Sequence, residues 1–276
     1  MSLTIENNIL MKNGKPFFYL ADTCWSAFTN IKDNDWDYYL DYRKSQGFNT
    51  LQINILPQWD ASATDLCYEP FEVIDGKYNY KKLNLSYFEH ADKMCARAKE
   101  KGFELALVIM WCNFVPDTWA SQFYSKGIMP IDCIDNYINI IHETFTKYEP
   151  LYIISGDTDF NTEQCIEYYV KCAKQIKELA PNCLYTTHIK GRYTYIPDNL
   201  YSYLDLCFYQ SGHNAQNLGM PYLLAEEMAD KYKGKPVINS EPCYEDMGYS
   251  RQMYGRWSKE DIIRAAWMSL LSGASA

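Results

Sequence analysis

Glu104-Leu105-Ala106-Leu107-Val108-Ile109-Met110 is an almost unbroken apolar run. A strand with one wet face alternates polar and apolar residues, so this run predicts a strand covered on both faces, as in a parallel sheet flanked by helices. Residues 85–101, just before it, carry a helical period, with Asn84 as the cap and Gly102 as the stop. Helix, glycine stop and buried strand make up the repeating part of a βα architecture.

The same unit recurs in both directions. Toward the N-terminus, Trp36, Tyr39, Leu40 and Arg43 follow a helical period that opens at Asp33 or Asn34, stops at Gly47, and leads to a strand at 50–55. Asn13-Gly14 sits between Ile9-Leu10-Met11 and Phe17-Phe18-Tyr19-Leu20, a hairpin signal whose second arm runs on to Ala21-Asp22. Residues 57–80 fit neither period and read as irregular. Toward the C-terminus, helix 133–148 precedes strand 151–155. Helix 163–179, opened by Asn161 or Thr162, precedes strand 183–187, and a shorter connection through 197–201 precedes strand 205–209. Helix 222–232, with Pro221 in its first turn and Gly234 after it, leads to strand 236–240. Ser258 and Asp261 then predict a capping box for helix 262–271.

Seven strands, each followed by a helix or helix-like connection, make either a closed barrel or an open doubly wound sheet. An open nucleotide-binding sheet needs a glycine-rich turn after an early strand, which this sequence lacks. The expected fold is therefore α/β: a (β/α)8 TIM barrel forming a single domain over 1–276, with an N-terminal β-hairpin. Residues 4–11 should lie across the N-terminal end of the barrel and cover apolar side chains there. Only seven βα units are counted, so the tail Leu271-Ser272-Gly273-Ala274-Ser275-Ala276 reads as the start of an eighth strand in a truncated last unit, with a natural chain that continues or a barrel that closes incompletely.

Composition excludes several classes of function. The 276 residues suit one such barrel, and 47% apolar residues suffice for one core. The net charge of −9 repels a nucleic-acid backbone, so no nucleic-acid partner is expected. No run of about 18 apolar residues predicts a membrane span, and Met1-Ser2-Leu3-Thr4-Ile5-Glu6 lacks the basic and apolar regions of a signal peptide. None of the ten cysteines forms a CxxC pair. Cys95, Cys165, Cys172, Cys183 and Cys207 lie among apolar neighbours, which reads as reduced thiols in a cytoplasmic protein. Aromatics reach 16%, with 25 Tyr and 7 Trp. Such an excess fits either a site that stacks on the apolar faces of sugar rings or a tyrosine-rich surface.

Active sites of such barrels form at the C-terminal ends of the strands. Strand one ends at Asp22, with Trp25 beyond. Strand two carries Gln52 and Asn54, strand three ends at Trp111 and Asn113, and strand four at Ser155-Gly156-Asp157, with Asp159 close by. Strand five ends at His188, strand six at Tyr209-Gln210 with His213 nearby, and strand seven at Asn239-Ser240-Glu241. Any one of these could be a solvated loop entry. Seven together suggest a carbohydrate site, in which amides and carboxylates bond hydroxyls and rings stack on C–H faces. Of the four histidines only His188 and His213 reach this mouth, so neither a catalytic metal nor a cofactor is expected. GxSxG is missing, and Cys243 has no evident paired base.

At these residues the chain resembles a known group. The segment from Asn13 through Gly14-Lys15-Pro16 to Asp22-Thr23-Cys24-Trp25 looks like the opening of a family of barrel glycosidases described as cellulases and including apiosidase-type enzymes. Tyr39-Leu40-Asp41-Tyr42-Arg43, Gln46-Gly47-Phe48-Asn49 with Gln52, Gln210-Ser211-Gly212-His213, and Pro236 through Glu241-Pro242-Cys243-Tyr244-Glu245 are similar to its later blocks. The resemblance covers essentially the whole chain. It implies the barrel of the large retaining-glycosidase clan, with an acid/base after strand four and a nucleophile after strand seven. Those roles fall on Asp157 and Glu241. The clan usually has Asn-Glu after strand four; Gly156-Asp157 departs from that, which keeps Asp159 open as the alternative acid.

The implied activity is hydrolysis of O-glycosidic bonds in a plant-type oligo- or polysaccharide, probed by two carboxyls in different protonation states. Asp22, Trp25, Gln52, Asn54, Trp111, His188, Tyr209, Gln210, His213 and Glu245 are the expected substrate contacts. Tyr209 is placed to hold Glu241 by a hydrogen bond, and Trp25 and Trp111 to act as sugar platforms. A non-catalytic carbohydrate-binding barrel, or a sugar lyase or isomerase, are the alternatives. The latter would need a metal cluster or a catalytic lysine at a strand end.

Overall fold

The computed structural model describes residues 3–59, 66–249 and 254–275. Three short antiparallel strands open the chain: β1 (Leu3–Glu6), β2 (Ile9–Lys12) and β3 (Lys15–Pro16). Two-residue turns join them, with every turn residue left-handed: Asn7 (φ +50°) and Asn8 (+63°), then Asn13 (+54°) and Gly14 (+70°). Asn and Gly tolerate that conformation best, and such turns match the twist of a hairpin. Leu3 and Leu10 pack into the main core. Lys12 Nζ lies 2.5 Å from Glu104 Oε1, at the first residue of a central strand. The hairpin thus lies at the N-terminal end of the strands, as expected.

The first barrel strand, β4 (Ala21–Thr23), is separate from the hairpin arm. It is followed by α1 (Ala27–Asn30), α2 (Asp33–Ser45), β5 (Thr50–Asn54), β6 (Phe71–Ile74), β7 (Lys77–Leu83), α3 (Leu85–Glu100) and β8 (Glu104–Trp111). Then come α4 (Ile134–Phe145), β9 (Leu151–Gly156), α5 (Glu163–Leu179), β10 (Leu184–Thr186), α6 (Asp198–Tyr201), β11 (Cys207–Tyr209), α7 (Met220–Lys231), β12 (Val237–Asn239) and α8 (Lys259–Leu271). Local chemistry accounts for two of the helix starts: at α5 Thr162 Oγ1 accepts the Cys165 N–H at 3.2 Å, and at α8 Ser258 and Asp261 form a reciprocal capping box.

Strands β10-β9-β8-β5-β4 form one parallel sheet and β11-β12 a parallel pair. The Asp205 N–H donates to Tyr185 O at 2.8 Å, which brings the start of β11 beside β10. Gln52 Nε2 of β5 donates to Ser240 O, just past β12, at 2.9 Å. An open sheet would hold the second and seventh strands far apart, so this bond requires the sheet to curl round on itself. Inside, the Tyr19 and Phe208 rings pack at 5.6 Å. Beyond α8 the Ser275 N–H reaches Val237 O of β12 at 2.6 Å. The fold is the (β/α)8-type barrel.

Residues 71–83, most of them within the stretch 57–80 read from sequence as irregular, form a hairpin. Its turn is Asp75 (φ +49°) and Gly76 (+76°), and the inward residues are Tyr78 and Tyr80 packed against Phe71. Tyrosines in place of aliphatic residues hid a period of two beside a recognisable Asp-Gly signal. Residues 60–65 of that segment, and Ala276 of the tail, lie outside the described residues. No helix among the described residues is long and apolar enough to cross a membrane.

Candidate active site

Glu241 follows β12 and is 6% exposed. His188 Nε2 lies 2.8 Å from Oε2, Tyr244 Oη donates to Oε1 at 2.6 Å, and His213 Nε2 is 3.3 Å from Oε1. Burial alone would raise the pKa of this carboxyl. The hydrogen bonds and electrostatic attraction of His188 and His213 outweigh it and hold the group well below the ordinary carboxylate range. An ionised Glu241 can only accept, so His188 carries its proton on Nε2. Ser240 Oγ meets the other ring nitrogen, Nδ1, at 2.9 Å and itself contacts Tyr209 O at 3.1 Å. Burial and the charge on Glu241 raise the Tyr244 hydroxyl, keeping it a donor.

Asp157 follows β9 in a left-handed conformation, φ +49°. Desolvation, and next the charge on Glu241, raise its carboxyl well above the usual value; the Lys190 charge and the Gly191 N–H oppose them. Two carboxyls that feel each other are thus pushed toward opposite protonation states. Asp159 is buried, and its Oδ2 accepts from Lys190 Nζ at 3.0 Å, so it serves as that cation's counterion.

A carboxyl raised in the fold stabilises it below the unfolded pKa of about 3.9, and that stability is lost as pH rises through the folded value. Asp157→Asn removes the cost of holding a charge there. Its melting temperature at pH 7 is expected to exceed the parent's by about 2–4 °C per kcal/mol relieved, and the gap to close as pH falls toward 4. Melting curves across that range check it.

The structure gathers most of the predicted residues at this mouth. The Trp25 ring packs 5.2 Å from Trp111 and 5.4 Å from His188, and its Nε1 donates to Tyr244 Oη at 3.0 Å. Trp111 is 3% exposed, a wedge in the wall rather than an open platform, and among the described residues no partner meets its Nε1. Asn54 and Gln210 are buried on the inner face; among the described residues both amide atoms of Asn54, and Oε1 of Gln210, lack partners. Such groups are costly unless something bonds them.

Besides the Trp111 platform, four expectations are corrected. Asp22 points outward, where Arg43 Nε lies 2.6 Å from its carboxylate and Tyr39 of α2 donates to it. Tyr209 also points outward, its hydroxyl donating to Pro221 O at 3.0 Å, while Phe208 fills the interior. Both were displaced by one residue of strand parity, which a strand buried on both faces does not reveal. Gln52 faces inward but is used up between Tyr19 and Ser240. Glu245 is exposed, and Tyr244, one residue earlier, takes the place beside Glu241. The sequence reading missed Tyr244, although it stands three residues from Glu241; Trp119, whose Nε1 donates to Asp157 O at 2.7 Å, carried no signal at all.

Gly156 is required by Trp111. A Cβ there would sit 2.0 Å from Trp111 Cε3, within the ring of a buried side chain. Gly156→Ala should cost roughly 1–3 kcal/mol, since overpacking forces the neighbour off its rotamer. A chemical-denaturation curve matching the parent would contradict this packing.

Comparison with known proteins bears on the family and the fold. The family described as "Apiosidase-like, catalytic domain" matches residues 5–276. No curated protein matches significantly. Among solved structures, a glycoside hydrolase family 5 protein from Bacteroides vulgatus is similar at 24% identity and TM-score 0.82, covering 100% of this chain and 61% of that one. A second, titled simply glycoside hydrolase, gives 24%, 0.81, 100% and 64%. The endo-1,4-beta-D-mannanase of Thermotoga petrophila gives 16%, 0.61, 94% and 87%. The chain therefore spans about three fifths of the length of the first two, and likeness at this distance shows the barrel fold. The family match, running from the hairpin through the last helix, is decisive: the chain belongs to the Apiosidase-like catalytic-domain family.

Proposed function

We propose that the chain is a glycoside hydrolase cleaving O-glycosidic bonds of a plant-type oligo- or polysaccharide with retention of configuration. One observation carries the reading: Glu241 is held ionised while Asp157 is driven toward its neutral form. Glu241 attacks the anomeric carbon as the bond to the leaving oxygen breaks, and Asp157 gives that oxygen its proton. Asp157 then takes a proton from water, which displaces Glu241 from the glycosyl-enzyme ester. His188, His213 and Tyr244 hold Glu241 in line. Trp25 packs on the reacting sugar, and the free amide atoms of Asn54 and Gln210 bond its hydroxyls. A binding barrel without catalysis would not need two carboxyls forced apart in pKa. The ten free thiols, eight of them buried, support a reducing, cytoplasmic location.

A panel of aryl glycosides and plant oligosaccharides, with first-formed product anomers followed by NMR, tests the reading. Release of one sugar with its anomer retained is expected. An inverted product would refute the double displacement, and no release from any member would refute hydrolysis.

A further inference from the structure

We infer that Trp59, Trp119 and Phe123 form a platform for the leaving group, a ring with an apolar face seated on the Asp157 side of the scissile bond. The inference rests on the hydrolase reading above. Trp59 is 39% exposed and Phe123 60% exposed, a large aromatic surface to leave in water. The two rings lie 6.2 Å apart, and Trp59 meets Trp119 edge-on at 5.6 Å. Trp119 ties the group to the chemistry, because its Nε1 bonds the main-chain carbonyl of Asp157 at 2.7 Å.

Each of the two carboxyl-bearing segments therefore has its own aromatic group, one against the Glu241 side chain and one bonded to the Asp157 main chain, and the two groups differ. Around Glu241, Trp25, His188 and Tyr244 are locked to one another and to the carboxylate. In the group bonded to the Asp157 main chain, Trp119 is half-buried while Trp59 and Phe123 are open. The reacting sugar must sit over Glu241 with its anomeric carbon in reach. The oxygen that Asp157 protonates belongs to the departing group, so whatever lies beyond Asp157 touches that group. Open rings there stack on a flat partner: either an aryl aglycone or the C–H face of another sugar. A small leaving group such as fluoride leaves them uncovered.

The test uses Trp59→Ala and Phe123→Ala, both at surface positions expected to melt as the parent does, with Trp59→Phe and Phe123→Tyr as conservative controls. For the sugar the enzyme accepts, kcat/KM is measured on its 4-nitrophenyl glycoside, its disaccharide and its glycosyl fluoride. The preference for each ring-bearing substrate over the fluoride should fall about tenfold in the alanine variants and recover in the aromatic ones. A fall for the 4-nitrophenyl substrate alone assigns the platform to aryl groups; a fall for both assigns it to sugar rings as well. An unchanged preference, or an equal fall for the fluoride, overturns the proposal. Calorimetric titration of the Glu241→Gln protein with 4-nitrophenyl and methyl glycosides separates the two readings. Tighter binding of the 4-nitrophenyl glycoside that Trp59→Ala abolishes, when the parent protein hydrolyses no member of the panel, would sink hydrolysis and keep the platform. Hydrolysis with no such difference would sink the platform alone.

Discussion

Glu241→Gln is expected to lower turnover by about 10⁴–10⁶-fold, the scale seen when a nucleophile is removed from a covalent mechanism. An amide has the same shape but cannot form the glycosyl-enzyme ester. It also disturbs the site, since donors approach both oxygens: His188 at Oε2, and Tyr244 and His213 at Oε1. Whichever way the amide turns, its N–H₂ meets one of them. The loss of stability has a pH signature. A carboxyl lowered in the fold contributes stability above its unfolded pKa of about 4.3, and that contribution disappears as pH falls through the folded value. Parent and variant should therefore differ most in melting temperature near neutral pH and converge in acid. A 2-fluoro glycoside with a good leaving group should add one sugar to the peptide carrying Glu241 in the parent and none in the variant. Label found on another carboxylate would reassign the nucleophile.

Asp157→Ala should separate substrates by their leaving groups. Protonation by a positioned acid contributes about 10²–10⁴-fold, and only a poor leaving group needs it. On natural oligosaccharides kcat/KM should fall by that factor, and on activated aryl glycosides far less. The second step then becomes limiting for aryl substrates, because no base activates water. Azide, which needs no base, should restore the rate and give a glycosyl azide of retained configuration. The pH profile should change in the same sense. Burial and the charge on Glu241 raise Asp157, so the parent loses activity as pH rises through that value. The variant should lack this alkaline limb. Equal damage to both substrate types with no effect of azide would remove Asp157 from the role, and Asp159, now the counterion of Lys190, would be substituted next.

Much of this protein was legible in one dimension. Period and punctuation found the seven parallel strands of the described residues, the first of them as an extension of the hairpin arm, and nearly every helix, because caps such as Thr162 and Ser258 and stops such as Gly47 and Gly102 act on their immediate neighbours. The Asn13-Gly14 turn is local in the same way. The strand-end rule then put Asp157, His188 and Glu241 at one mouth before any contact was known. Tertiary structure alone decided which neighbours those residues meet. Parallel strands buried on both faces give no hydrophobic cue to parity, so Asp22 and Tyr209 were read as facing a site from which they point away. Tyr244 and His213 reach Glu241, and Trp119 reaches Asp157, through loops whose paths are set by packing rather than by any repeat. The opposite shifts of the two carboxyls, Asp157 upward and Glu241 downward, are likewise a tertiary property, because burial and a neighbour's charge exist only once distant segments have closed around them.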